Sequence, residues 1–143
     1  MSKFVRPVSA QELHLSDLRG RHRATLILFW GLWCPFCREI IVQLTARYPE
    51  LRARDMAVIA VSMRESSAKV ALFIDKLKPG FPVMIDEWGS LKERYAIRDV
   101  PLAVILDGDQ VVQTAVITTS AEKVQTLIDQ TLAADAPEAD TTN

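Results

Sequence analysis

The fold of this chain is constrained most by two continuously apolar runs, residues 24–31 and 56–61. Strands that are buried on both faces have this uninterrupted pattern, which is typical of the centre of a covered sheet. The segment between the runs, from about Pro35 to Arg54, has apolar residues at three- and four-residue spacing, which predicts an amphipathic helix. A strand, a helix and a strand in this order predict two parallel strands joined by a right-handed crossover.

Later segments extend this pattern to an α/β domain with a mixed sheet. The predicted elements are a helix from a cap at Ser66 or Ser67 to about Lys78, a strand at 82–85, a short helix at 88–95, strands at 102–106 and 110–117 around the turn Asp107-Gly108-Asp109, and a helix from Ser120 to about Ala133. Pro49 lies inside the first predicted helix, so we expect it to kink or end that helix.

The length of 143 residues suits one domain, which we predict at 1–134 with an irregular lead-in at 1–20. The remaining segment, 135–143, is small, polar and acidic, and we expect it to be disordered. A net charge of −1 gives no broad basic surface, so a nucleic acid is not expected as a partner. We expect a monomer.

The N-terminus has no apolar stretch of the kind found in signal peptides. A cytoplasmic location is expected if the chain is complete as given. A periplasmic or other extracytoplasmic location is expected if a signal or anchor was trimmed from it.

The two cysteines of the chain form one motif, Cys34-Pro35-Phe36-Cys37, at the start of the first predicted helix. Pro35 suits the first helical position, which places Cys34 at the cap, beside unpaired N–H groups and the positive end of the helix dipole. Both features favour the thiolate, which is the nucleophile of thiol–disulfide exchange. Cys37 lies one turn further in and can reach the sulfur of Cys34. We therefore predict a redox-active disulfide in which Cys34 attacks and Cys37 resolves.

Two simpler interpretations of the cysteine pair stay open at this point. Two buried cysteines at this spacing can be inert. A zinc site needs roughly four ligands, but the two histidines of the chain, His14 and His22, both precede the first apolar run. We therefore expect no metal site and no cofactor.

The residues around the motif resemble the thioredoxin superfamily and, within it, the TlpA/ResA-like thiol–disulfide oxidoreductases. The resemblance covers roughly residues 13–133. Its strongest part is Trp33-Cys34-Pro35-Phe36-Cys37 at a junction between a strand and a helix; weaker parts follow at 60–66, 81–86 and 95–101. It implies a thioredoxin-like three-layer fold, with a mixed central sheet flanked by helices.

The resemblance also implies roles for residues far from the motif. Pro101 matches the family's cis proline that faces the disulfide, although an ordinary trans proline is the alternative. The backbone of Val100 would then be free to pair with a strand of the substrate. Trp33 and Phe36, together with Leu102, would form an apolar rim for protein substrates, although Trp33 could instead pack in the core.

Glu65 matches an acidic residue that TlpA/ResA-like proteins place near the cysteines, whereas Leu28 stands where thioredoxins have an aspartate. Glu65 could exchange a proton with Cys37, or it could be a solvated residue at the start of a helix. Asp99 and Leu102 depart from the glycine and threonine common around the family's cis proline. The pair Pro35-Phe36 between the cysteines also differs from that of many family members. The reduction potential of those proteins therefore cannot be assigned to this chain.

The resemblance implies an enzyme that reduces disulfides in protein substrates and receives electrons from an upstream donor, such as a membrane or soluble thiol reductase. A peroxiredoxin would need threonine or serine three residues before its reactive cysteine, and this position is Gly31. The alternative outside enzymes is a copper-binding or metallochaperone module that uses the two thiolates.

Overall fold

The described residues form a six-stranded sheet, with three helices of 11 to 19 residues packed on one face. The computed structural model describes residues 7–9, 22–86, 92–93, 97–109 and 111–134. The strands are β1 (Pro7–Ser9), β2 (Ala24–Trp30), β3 (Met56–Met63), β4 (Val83–Asp86), β5 (Leu102–Asp107) and β6 (Val112–Ile117). The helices are α1 (Pro35–Ala53), α2 (Ser67–Leu77) and α3 (Ala121–Ala134).

The strand order is β1-β4-β3-β2-β5-β6, and the sheet is mixed. β1, β4, β3 and β2 run parallel to one another, whereas β5 is antiparallel to both β2 and β6. This arrangement confirms the predicted mixed sheet and the parallel pairing of the two apolar runs. β2 and β3 are buried along their whole length, as their continuous apolar sequences predict.

The core lies mainly on the face of the sheet that contacts α1, α2 and α3. Leu26, Leu28 and Trp30 of β2 point to this face and are completely buried. Ile27 and Phe29 alternate to the opposite face and form a second cluster with Ile97 and residues of β3 and β4. The short helix predicted at 88–95 falls mostly outside the described residues, although Lys92 and Glu93 are helical.

One prediction about local structure is wrong. Residues 7–9 of the predicted irregular lead-in form β1, which pairs with β4 in the register Pro7 to Val83. The rest of the lead-in and the acidic tail lie outside the described residues. Of the two effects expected of Pro49, a kink or an end of the helix, the end is not observed, since α1 continues to Ala53.

Packing explains why α1 continues past Pro49. A proline inside a helix costs about 3 kcal/mol, because it removes a hydrogen bond and crowds the preceding turn. Leu51, in the turn that follows, is completely buried, and the ring of Tyr48 meets Phe81 edge-on at 5.4 Å. Arg47 binds Asp129 of α3 at 2.6 Å. These contacts hold the end of α1 against its neighbours despite the proline.

The starts of α2 and α3 follow their sequence signals. The hydroxyl of Ser66 accepts a hydrogen bond from Lys69 N–H, which confirms the cap of α2. Ser120 accepts in the same way from Lys123 N–H at the start of α3. The β5–β6 hairpin turns at Asp107, whose carboxylate accepts from the N–H groups of Asp109 and Val111.

Candidate active site at the end of the central strands

Three segments of the chain meet at one edge of the sheet. β2 and β3 are parallel and end side by side, with Trp30 opposite Ser62. β5 runs the other way, so its first residue, Leu102, lies opposite Phe29 at the same edge. The cysteine motif after β2, the segment after Met63 and the Val100–Pro101 segment are therefore brought together.

Cys34 is the N-cap of α1. Its backbone is extended (φ −103°, ψ 112°), and its sulfur accepts a hydrogen bond from Cys37 N–H at 3.3 Å. The N–H of Cys34 itself donates to the carbonyl of Gly31, which closes a turn before the helix. The sulfur therefore takes the place of the oxygen in an ordinary cap, where the helix dipole favours negative charge.

Cys37 is hidden behind Cys34. Its exposed fraction is 0%, against 7% for Cys34, and both are free thiols. Burial raises the pKa of the Cys37 thiol from 9.0 to about 12, and the hydrogen bond with Cys34 acts in the same direction. The backbone of Gly31 opposes the shift. Only Cys34 thus presents a sulfur to an incoming molecule, while Cys37 is held as a neutral thiol.

The raised pKa of Cys37 makes the stability of the reduced protein depend on pH. Because the folded protein holds this proton more tightly than the unfolded chain, the stabilisation is complete below pH 9 and is lost as pH rises toward 12. At about pH 10 the free energy of unfolding should have fallen by about 1 kcal/mol more in the wild type than in Cys37→Ala. Urea unfolding of both reduced proteins at neutral pH and at about pH 10 measures the difference. Identical pH dependences would contradict the assignment.

The Val100–Pro101 peptide bond is cis, in agreement with the expectation from the resemblance. Pro101 is buried, and Val100 is half-buried. The carbonyl of Pro101 accepts a hydrogen bond from Thr118 N–H just beyond β6. This bond ties the cis-proline segment to the last strand at the edge where the cysteines lie.

The aromatic residues of the motif are at the surface. Trp33 is 50% exposed and Phe36 is 54% exposed, so the core-packing alternative for Trp33 is wrong. The indole N–H of Trp33 donates to the carbonyl of Met63 at 3.4 Å. The two rings flank Cys34 in sequence and give the site an apolar rim.

Gly31 leaves no room for a side chain. A Cβ at this position would lie 2.4 Å from the indole ring of Trp33. The hydroxyl that a peroxiredoxin needs three residues before its reactive cysteine would therefore displace Trp33. The sequence argues against a peroxiredoxin site, and this contact supports that exclusion.

Glu65 lies just after β3, and its side chain is 14% exposed. Its carboxylate accepts a hydrogen bond from Ser66 N–H at 3.2 Å and lies 3.8 Å from the ammonium group of Lys69. These two partners belong to the start of α2, and neither is a cysteine. Glu65 thus lies at the same edge of the sheet as the cysteine motif, but its carboxylate is turned toward α2.

One residue of this edge was missed by sequence reasoning. The guanidinium of Arg64 lies 5.3 Å from the centre of the Trp33 ring, and Arg64 has the left-handed backbone φ of 55°. Neither the contact nor the backbone conformation has a local sequence signal, because an arginine after a strand is ordinary.

Within the described ranges, no group of three or more His, Cys, Asp or Glu side chains is arranged to hold a metal ion. None of the helices described has both the length and the apolar character needed to cross a membrane.

Relatives and solved structures resemble this chain. ResA of Bacillus thuringiensis subsp. konkukian, named a thiol-disulfide oxidoreductase, is 26% identical over 105 residues, which are 73% of this chain. The chain spans only 60% of the length of that curated relative.

The crystal structure of StoA from Bacillus subtilis has a TM-score of 0.64 at 24% identity, covering 77% of this chain and 84% of that one. A secreted disulfide oxidoreductase of Mycobacterium tuberculosis, homologous to E. coli DsbE, has a TM-score of 0.67 at 21% identity, covering 82% and 84%. These likenesses confirm the thioredoxin-like fold. The model of the AhpC/TSA family matches residues 3–129, and the chain belongs to that family.

Proposed function

We propose that the protein is a thiol–disulfide oxidoreductase that reduces disulfides in other proteins. The observation that carries the proposal is the asymmetry of the pair: Cys34 caps α1 and keeps an exposed fraction of 7%, whereas Cys37 lies behind it and has none. One sulfur can be reached by a substrate, and the other can be reached only from the first. The name thiol-disulfide oxidoreductase of the ResA relatives supports the same reaction.

The reaction consists of two exchanges. The thiolate of Cys34 attacks one sulfur of the substrate disulfide, a mixed disulfide forms, and the other substrate sulfur leaves as a thiolate that takes up a proton. Cys37 then loses its proton and attacks the sulfur of Cys34, which releases the second substrate thiol. The substrate gains two electrons and two protons, and Cys34 and Cys37 become a disulfide.

A further reductant must return the Cys34–Cys37 disulfide to two thiols. A dithiol protein, either soluble or membrane-bound, can supply the two electrons and two protons by the reverse exchange. The proposed partners are therefore proteins with reducible disulfides and an upstream thiol reductase. The monomeric state remains part of this proposal.

The substrate is proposed to bind beside the cis-proline segment. The backbone of Val100 next to Pro101 suits pairing with an extended segment of the substrate, which would place its disulfide over Cys34. The rings of Trp33 and Phe36 would cover the flanking residues of that segment. Their exposed fractions of 50% and 54% leave both rings accessible to it.

Glu65 is proposed to help Cys37 lose its proton in the second exchange. Its position after β3 and its limited exposure of 14% support this role, although a change of rotamer would be needed to turn its carboxylate away from Lys69. We expect Glu65→Gln to change the pH profile of thiol titration at the site, which is followed by thiolate absorbance. Lys69→Gln is the control, because it removes the charged partner of Glu65 and keeps the carboxylate. An unchanged profile in Glu65→Gln would remove Glu65 from the mechanism.

A protein-disulfide reduction assay tests the proposed function. Insulin and a dithiol donor are incubated with catalytic amounts of the protein, and the rate of insulin reduction should rise well above that with the donor alone. A parallel titration with Cu(I) tests the copper-binding alternative. Stoichiometric copper binding without any acceleration of insulin reduction would overturn the proposal.

A further inference from the structure

Trp33 is held in one position although half of it is exposed. Its ring lies directly on the backbone of Gly31, where even a Cβ would be 2.4 Å from the indole. Its N–H group is bound to the carbonyl of Met63, at the end of β3. An exposed aromatic residue fixed on both sides is a rigid platform beside Cys34, which follows it in the chain.

Arg64 covers this platform with a positive charge. Its guanidinium carbon lies 5.3 Å from the centre of the Trp33 ring, which is the distance of a cation–π contact. The residue has a φ of 55°, a conformation that glycine and asparagine adopt more readily than arginine. The backbone conformation alone would therefore favour another residue at this position. What the arginine contributes to the site is its charged side chain.

The nearby acidic residue is engaged elsewhere. Glu65, the neighbour of Arg64 in sequence, accepts a hydrogen bond from Ser66 N–H and lies near the ammonium group of Lys69. Among the residues that the structure describes, Arg64 forms no ion pair with an acidic side chain. Its N–H groups are thus available to an outside carboxylate.

Two other arginines near this edge are each followed in sequence by an acidic residue. Arg38 is followed by Glu39 on α1, and Arg98 is followed by Asp99 before the cis proline; all four are exposed. Of these three arginines, only Arg64 is followed by an acidic residue that lies near another cation, since Glu65 is 3.8 Å from the ammonium group of Lys69.

We infer that Arg64, held over Trp33, determines substrate specificity by binding an acidic side chain next to the reactive cysteine of the substrate. The inference rests on the proposed function and names a substrate class for it. A guanidinium in a cation–π contact with a ring still has N–H groups that can bind a carboxylate through two parallel hydrogen bonds. The ring itself packs against the apolar part of the same segment.

Three short disulfide peptides that differ only in the residue beside the cysteine, namely Glu, Gln or Lys, test the inference. The wild type should reduce the Glu peptide with a kcat/KM about fivefold above that of the Gln peptide, mainly through KM, and the Lys peptide should be the poorest. Salt at about 0.5 M should reduce the preference, because it screens exposed charges.

Arg64→Asn removes the charge and keeps a residue that tolerates the left-handed backbone. In this variant the kcat/KM values for the Glu and Gln peptides should become nearly equal. In Arg64→Glu, the Lys peptide should have the highest kcat/KM. The matched control is Arg52→Asn, which removes an exposed arginine at the far end of α1. It should keep the wild-type ratio.

The outcomes separate the inference from the proposed function. Equal reduction of all three peptides by the wild type, or an unchanged preference in Arg64→Asn, would overturn the specificity assignment alone. Failure to reduce any of the peptides or insulin would overturn the proposed function, and the inference with it.

Discussion

Replacing Cys34 with serine should reduce the rate of protein-disulfide reduction by roughly three orders of magnitude or more, to that of the dithiol donor alone. The hydroxyl of serine is not ionised at neutral pH and cannot replace a thiolate in exchange with a disulfide. The buried Cys37 cannot take over, because its exposed fraction is 0%. The insulin-reduction assay measures the effect directly.

Serine is also the substitution that disturbs the fold least at this position. It is among the best N-cap residues, so it should keep the hydrogen bond from Cys37 N–H that the sulfur of Cys34 accepts. The free energy of unfolding should therefore stay within about 1 kcal/mol of the wild type. A stable Cys34→Ser protein with substantial activity would contradict the assignment of Cys34 as the attacking group.

Replacing Cys37 with serine should convert the protein into a trap for its substrates. The first exchange through Cys34 remains possible, but no second thiol is present to release the mixed disulfide. Multiple-turnover activity should fall nearly to the background, and a covalent complex with the substrate should accumulate almost stoichiometrically. Non-reducing gel electrophoresis and mass spectrometry detect this complex.

A second variant separates trapping from damage to the core. A serine at position 37 buries a hydroxyl, which costs about 1–3 kcal/mol if it finds no partner. Cys37→Ala avoids this cost and should trap substrate equally well. The Cys34→Ser protein retains only the buried thiol and should form little complex. A larger yield from Cys34→Ser than from Cys37→Ser would reverse the roles of the two cysteines.

The sequence predicted the parts of the fold whose signals are strong and local. The apolar runs of β2 and β3, the spacing of α1 and the cap at Ser66 each depend on residues that are close together in the chain. β1 was missed because three residues that begin with Pro7 are too few to show an alternating pattern. The end that Pro49 could have caused is absent because Leu51 is anchored by packing, which a helix considered alone does not reveal.

The residues of the site also divide into those with a local sequence signal and those without one. Cys34 and Cys37 were identified from their spacing, and Pro101 was identified from a resemblance, since nothing in its local sequence points to the cysteines. The contact of Arg64 with Trp33 could not be predicted, because it depends on the turn after β3 and on the close approach of Trp33 to Gly31. Nothing in the sequence around Arg64 or Trp33 indicates that the two residues are in contact.

The reduction potential of the Cys34–Cys37 pair tests the central claim most directly. The protein is equilibrated in a series of glutathione or dithiothreitol buffers, and its free thiols are counted by alkylation and mass spectrometry. We predict a single transition in which both thiols disappear together, with the slope of a two-electron couple, about 30 mV per tenfold change. Neither single-cysteine variant should show it. Two thiols that stay alkylatable at every potential, or that disappear only by linking two chains, would contradict the proposed redox function.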